Sequence, residues 1–190
     1  MSPKTQIYQI KITLQGSDPP IWRRIRVRGD TSLDRLHDII QVVMGWTNSH
    51  MHQFIVGGAY FGPPDPYYDD LAMSDETEFK LSRITRNEGS AFIYEYDFGD
   101  SWAHELVVEK IISPEESTKY PVCLAGERAC PPEDVGGVWG YEGFLEAIRD
   151  PHHPEHEDYI EWIGGEFDPE AFDLEAVNAA LRRIGHGRYR

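Results

Sequence analysis

Positive charge is scarce in this chain of 190 residues, where 18 lysines and arginines stand against 33 aspartates and glutamates, a formal net charge of −15. A field of that sign repels phosphate backbones, so no specific nucleic acid is expected as a partner. Cysteine is scarcer still. Cys123 and Cys130 are the only two, too few for a disulfide scaffold and too widely spaced for a close paired-thiol zinc knuckle, so both are expected to be thiols. Long apolar runs are missing too, since no stretch approaches the ~18 residues of a membrane span. The opening "MSPKTQIYQIKITLQG" lacks the apolar core of a signal peptide, which predicts a cytoplasmic protein with no membrane partner.

What is present is a globular composition, 40% hydrophobic and 12% aromatic, in a chain long enough to bury roughly 70% of its unfolded surface without staples. "QIYQIKITL" and "IWRRIRVRG" alternate with period two on either side of the turn residues "GSDPP", predicting an antiparallel pair of strands over 7–14 and 21–28. In the second, Ile21, Arg23, Ile25 and Val27 share one face, and Trp22, Arg24, Arg26 and Arg28 the other. From Thr31 the period changes. Leu33, Leu36, Ile40 and Val43 mark an amphipathic helix with Thr31 or Ser32 as N-cap and Gly45 as stop, and His37 beside Leu36 is expected to pack at the core edge.

"HMHQFIVGGAYFG" predicts a hairpin about Gly57 and Gly58, and the Pro- and Asp-rich loop after it has room for one short helical turn. "KLSRI" and "SAFIYEYDFGDSWAHELVVEKII" complete a strand-rich part ending near Ile112. Residues 113–140 read as a long, ordered, Pro/Gly-rich loop, and 141–190 as a helical part. Its last helix takes Asp168 as N-cap and Pro169 as first residue, carries Leu174, Val177, Leu181 and Ile184, and stops at Gly185 before a mobile tail. The fold class is α+β: one domain over 1–190 with a mixed sheet opening ββα as a β-grasp does, and a helical C-terminal part packed on it.

Two motif matches fail on context. "DFG" at Asp97 to Gly99 has none of the other parts of a kinase, and "GGVWGYEG" follows "PPED" rather than a buried strand, so no dinucleotide fingerprint is read there. His152, His153 and His156 in "HHPEHEDY" are read as a solvated acidic helix start. "NSHMHQF" puts His50 and His52 two apart, side by side on one strand face, which is ligand geometry. "EYDFGDSWAH" sets Asp97, Asp100, Trp102 and His104 around Gly99. A turn or bulge at that glycine would bring Asp97 and His104 to the same side, facing the "CPPEDVGG" loop with Glu133 and Asp134, while plain Asx turn chemistry is the alternative.

The blocks "IWRRIRV", "LDRLHDIIQVVMGW" into "HMHQF", "YEYDFGDSWAHELVVE", "YPVCLAGERACPPEDVGGVWGYEGFLEAI" and "FDPEAFDLEAVNAAL" resemble the plasmid pRiA4b ORF-3-like family. The resemblance implies an α+β fold shared with bacterial and archaeal proteins of unknown function. Some members carry a resolvase label. This chain gives that label no support, lacking a basic DNA-binding end and a nucleophilic serine set among arginines near its start. The family supplies no catalytic residues.

Two functions stay open. One is a non-catalytic binding module for a protein, peptide or small anionic ligand, with Asp97, Asp100, Trp102, His104, Glu133, Asp134, Arg24 and Arg26 as candidate ligand-binding residues. The other is a metal-assisted hydrolase holding a divalent metal on His50, His52, Asp97 and His104, with Asp100 as a further ligand and Glu133 or Asp134 as base.

Overall fold

A computed structural model describes residues 5–64 and 73–184 of the chain. Gly185, the tail after it and most of the Pro- and Asp-rich loop lie outside the described residues. Among the described residues eight strands form one sheet in the order β5-β4-β3-β6-β7-β1-β2-β8. Strands β1 (Ile7–Leu14) and β2 (Trp22–Arg28) pair antiparallel from Ile7 opposite Arg28 to Thr13 opposite Trp22. The period-two pattern decides which residues go inside: Tyr8, Ile10, Ile12, Leu14, Ile25 and Val27 are at most 2% exposed. β6 (Ala91–Tyr96) and β7 (Trp102–Ile112) continue the sheet on the far side of β1, and β3 (His52–Val56), β4 (Ala59–Gly62) and β5 (Met73–Asp75) follow. Only β4 and β5 run parallel, which makes the sheet mixed.

Helix α1 (Leu33–Met44) crosses from β2 to β3 over the inner face, and Leu33, Leu36, Ile40 and Val43 are all buried there. It ends at Gly45, whose left-handed φ of 104° turns its N–H back to the Gln41 carbonyl. The ββα opening expected from the sequence is therefore present, and every neighbouring strand pair except β4 with β5 is antiparallel.

Three local expectations are corrected. "KLSRI" is a short helix, α2 (Leu81–Ile84), because Lys80 pairs with Ser32 only as an isolated bridge and the chain then turns. The segment 113–140 contains an edge strand, β8 (Val122–Glu127), paired with β2, and its last residues already belong to helix α3 (Gly137–Arg149). α4 (His156–Ile163) follows, and α5 (Leu174–Ile184) starts later than expected. Asp173 caps α5 by accepting from Ala176 N–H at 2.9 Å, whereas Asp168 accepts from Glu170 N–H in a separate turn.

Arg23, an inward position of β2, is 2% exposed and has no carboxylate partner among the described residues. Four of its five N–H groups reach backbone carbonyls: Nε to Val43 at 2.7 Å, and the two terminal nitrogens to Trp22, Glu127 and Arg128 at 2.8 Å each. Its guanidinium also lies 4.4 Å from the Phe172 ring centre. One side chain thus joins β2, β8, the end of α1 and the approach to α5. The two cysteines are free thiols. Among the described residues no helix is long and apolar enough to cross a membrane.

Candidate functional site

"EYDFGDSWAH" is two strand ends and the turn between them. Tyr96 pairs with Trp102 and Tyr94 with His104 across the β6–β7 ladder, and all four side chains are fully buried. Trp102 and His104 are therefore core residues rather than parts of a surface site. The turn owes its shape to Asp97, not Gly99: Asp97 and Ser101 take left-handed φ values of 57° and 53°, and Gly99 does not. Asp97 Oδ1 accepts from Gly99 N–H at 2.9 Å and faces Asp100 N–H at 3.4 Å, an Asx turn that left-handed Asp tolerates. The expected Asp97–His104 pair is absent because His104 is buried within β7 against Trp46 and Tyr94, whereas Asp97 lies in the turn beyond the end of β6 with its carboxylate on the turn and beside His50. Asp97→Ala is expected to lose about 1–2 kcal/mol, while Asp97→Asn, which keeps the acceptor and the left-handed tolerance, stays within about 0.5 kcal/mol. Urea unfolding of both variants checks this.

His50 takes the place of His104 beside Asp97. Its Nδ1 is 3.7 Å from Asp97 Oδ2, and its Nε2 is 3.1 Å from Asp134 Oδ1. These three residues, from the 45–51 loop, the β6–β7 turn and the 131–136 loop, bring one ligand atom each within 4.8 Å of one another, the one such group of His, Cys, Asp and Glu among the described residues. Cross-links hold the loops in place. Tyr96 Oη accepts from Ser49 N–H at 2.8 Å and donates to Glu133 Oε1 at 2.7 Å, Glu133 Oε2 accepts from the Thr47 hydroxyl at 2.6 Å, and Asp100 Oδ2 accepts from Gly136 N–H at 3.0 Å. Glu133 and Asp100 are thus spent on structure. The Thr47 and Tyr96 bonds favour the Glu133 carboxylate, and although burial opposes them its pKa lies below the ordinary value.

His52 points elsewhere, away from His50. Its ring stacks on that of His37 with centroids 3.5 Å apart and planes 6° apart, and its Nε2 is 2.9 Å from Glu76 Oε2. His37 is fixed by a relay: Gln41 Nε2–H donates to Tyr94 Oη at 3.0 Å, Tyr94 O–H to His37 Nδ1 at 2.8 Å, and His37 Nε2–H to Asn48 Oδ1 at 2.8 Å. Asn48 offers only its carbonyl oxygen there, which assigns the tautomer. Burial pushes both imidazoles down to about 4, and His52 further lowers His37. Burial pushes the Glu76 carboxyl up to about 7. Burial thus disfavours charge on both partners of the His52–Glu76 contact.

This stack floors a cleft of about 720 Å³ whose walls include Asp34, Asp38, Arg35 and the edge of His50. Among the described residues, the carboxyl groups of Asp34, Asp38 and Glu76 face the guanidinium of Arg35, and Arg35 already bonds Asp38 at 3.1 Å and the Ile184 carbonyl at 2.7 Å. Burial raises the Asp38 pKa against the pull of Arg35, and Asp34 Oδ1 is buried with no hydrogen-bond partner among the described residues. His37, Asp34 and Asp38 share a helix face at spacings of three and four, the one sequence signal that points to this cleft. Glu76 carries none.

The arginine face is neutralised in place. A register shift at Gln9 and Ile10 leaves Glu109 out of the β1–β7 ladder, and its carboxylate binds Arg24 through two bonds of 2.6 and 2.8 Å. Arg26 bonds Glu115 at 2.9 Å and Gln9 at 3.1 Å. Neither arginine is available to an anion without displacing its acid.

With this geometry in hand, the relatives are informative about kinship and silent about chemistry. The uncharacterized protein y4hQ of Sinorhizobium fredii is 38% identical over 176 residues, covering 92% of this chain and 90% of that protein. The crystal structure of the protein of unknown function MM3350 from Methanosarcina mazei matches with a TM-score of 0.82 at 39% identity, over 90% of this chain and 97% of the other. The sequence pattern of the plasmid pRiA4b ORF-3-like proteins matches residues 6–176, so the chain belongs to the plasmid pRiA4b ORF-3-like family.

Proposed function

We propose that this chain is a non-catalytic binding module whose cleft between α1 and the start of β3 takes the cationic end of a small polar ligand. The observation that carries the reading is the excess of carboxyl groups in the cleft among the described residues, with Asp34 Oδ1 buried and unpartnered by any of them at its wall. A buried acceptor without a donor is costly, and an ammonium or guanidinium group supplies both the donor and the opposing charge. The ligand class differs from the small anion expected from sequence because Arg24 and Arg26 already hold their own counter-charges. The hydrolase reading has less support. Of its five proposed ligands only His50 and Asp97 converge, and Glu133, one of its two candidate bases, is held by Thr47 and Tyr96.

We place the module in the cytoplasm, a reading supported by its two free thiols. Sequence-specific DNA binding is not part of it, given a net charge of −15 and paired arginines. Agmatine, which carries a guanidinium and an amine, serves as the probe, with succinate as its anionic counterpart. In NMR titrations of the full chain, agmatine is expected to shift the resonances of α1 and the residues near His52. Asp34→Asn and Glu76→Gln each weaken it at least tenfold. Binding of succinate at the same residues, with none by agmatine, overturns the reading.

A further inference from the structure

We propose that His50, Asp97 and Asp134 form a binding site for a divalent transition-metal ion of the Zn²⁺ or Mn²⁺ class, at the junction of three loops on the rim of the cleft. The inference does not depend on what fills the cleft. Two ligand atoms each about 2.1 Å from one ion lie roughly 3.0–3.5 Å apart, and His50 Nε2 lies 3.1 Å from Asp134 Oδ1; Asp97 Oδ2 lies 3.7 Å from the other ring nitrogen, Nδ1, so Nε2 and Asp134 form the tight pair and Asp97 completes a group whose ligand atoms lie within 4.8 Å of one another.

Each ligand is positioned by bonds that leave its metal-facing atom unused. Asp97 gives Oδ1 to the turn, so Oδ2 alone faces His50. The backbone of His50 is held by Tyr96 Oη, which accepts its N–H at 3.3 Å, and the two rings meet edge to face at 5.8 Å. Asp134 has a left-handed φ of 61° next to the anchored Glu133.

A second observation points the same way. His50 Nε2 is shielded from solvent and makes no hydrogen bond, although Asp134 Oδ1 is 3.1 Å from it. The contact thus has the distance of a polar pair without the direction of a hydrogen bond, which is how two ligands of one ion stand to each other. One imidazole with two carboxylates suits a borderline ion such as Zn²⁺ or Mn²⁺. It falls short of the six to eight oxygens that Ca²⁺ takes. Asp134 is 69% exposed, so the remaining coordination positions open to water.

The test is calorimetric titration of ZnCl₂ and, separately, MnCl₂ into the tag-free full chain after chelator treatment. One equivalent of at least one of the two ions is expected to bind the native protein. Asp134→Asn and His50→Gln are each expected to weaken it at least tenfold, with circular dichroism showing the fold unchanged. Asp134→Asn alters an exposed side chain, so it tests the site even if the variant at His50 misfolds. The double variant His152→Ala/His153→Ala is expected to bind as the native chain does, as is Asp34→Asn, which separates this site from the cleft reading. Absence of binding to the native chain, or binding that survives Asp134→Asn, or binding lost in the His152/His153 double variant, overturns the proposal.

Discussion

Arg23→Ala is expected to lower the unfolding free energy by about 4 kcal/mol, and Arg23→Met by about 3 kcal/mol. The guanidinium is buried without a carboxylate, yet it is satisfied by the carbonyls of Trp22, Val43, Glu127 and Arg128 at 2.7–2.8 Å. Val43 belongs to the last turn of α1, where unpaired carbonyls and the negative end of the helix dipole favour a cation. Burial lowers the Arg23 pKa, but a guanidinium remains charged at any physiological pH. Truncation to alanine leaves a cavity and four carbonyls short of a donor. Methionine restores volume but no donor, so the difference between the two variants measures packing and their common loss measures hydrogen bonding. Arg23→Lys keeps the charge but cannot reach three directions in one plane, and it is expected to recover only part of the loss. Urea midpoints of the three variants decide. A loss below about 1 kcal/mol for Arg23→Ala would mean that the carbonyls find water or other donors.

The same residue shows how far the fold can be read from the sequence. Alternation in "IWRRIRV" places Arg23 with Ile25 and Val27, and the structure keeps it there. Period alone does not say that a charge on that face has carbonyls waiting for it, since those come from residues about 20 and 105 positions away. β1, β2 and α1 were legible because their patterns are local. β8 was not, because Pro121 and Gly126 disguise it as loop. Gly126 is required there by packing: a Cβ would come within 2.7 Å of the Phe172 ring and 2.8 Å of Arg23 Cδ.

The candidate sites divide on the same line. "DFGD" announced turn chemistry, and Asp97 and Asp100 are both engaged in it or in its tether. Spacing in "HMH" suggested that His50 and His52 share a face, but β3 begins only at His52. His50 precedes the strand, so the alternation does not extend to it. Convergence of His50 with Asp97 and Asp134 joins residues 47 and 84 positions apart. Nothing local records it. Glu76 likewise reaches His52 only through the fold.

Acidification is expected to cost the protein on the order of 3–5 kcal/mol between pH 6.5 and 4.5 through two buried histidines. His104 is fully buried, with its Nδ1 toward the Tyr94 carbonyl at 3.4 Å, its Nε2 unpartnered, the edge of Trp46 5.1 Å away and Arg23 adding a weaker repulsion. Burial depresses it, like His37, from an ordinary 6.5 to about 4. The unfolded chain therefore binds these protons first, so their stabilisation is complete above pH 6.5 and is lost as the pH falls toward 4. His52 runs the same way, but its partner Glu76 runs oppositely: a carboxyl raised from 4.5 to about 7 favours the folded state at low pH and loses that advantage as the pH rises through 7. Over the shared window the pair cancels, leaving a net uptake of about two protons and a slope of about 2.7 kcal/mol per pH unit. Protonation of surface acids relieves the repulsion of a −15 chain and acts against this slope, so a comparison with a variant is the cleaner measurement. His104→Leu removes an unpartnered acceptor from an aromatic pocket. It is expected to leave stability at pH 7 within about 1 kcal/mol and to reduce the slope by about 1.4 kcal/mol per pH unit. Urea midpoints at pH 7.0, 6.0, 5.0 and 4.5 (roughly the span of the window) measure both slopes. Parallel pH profiles for the native chain and His104→Leu would show that His104 protonates as readily in the folded state as in the unfolded one, and that its pocket admits the charge.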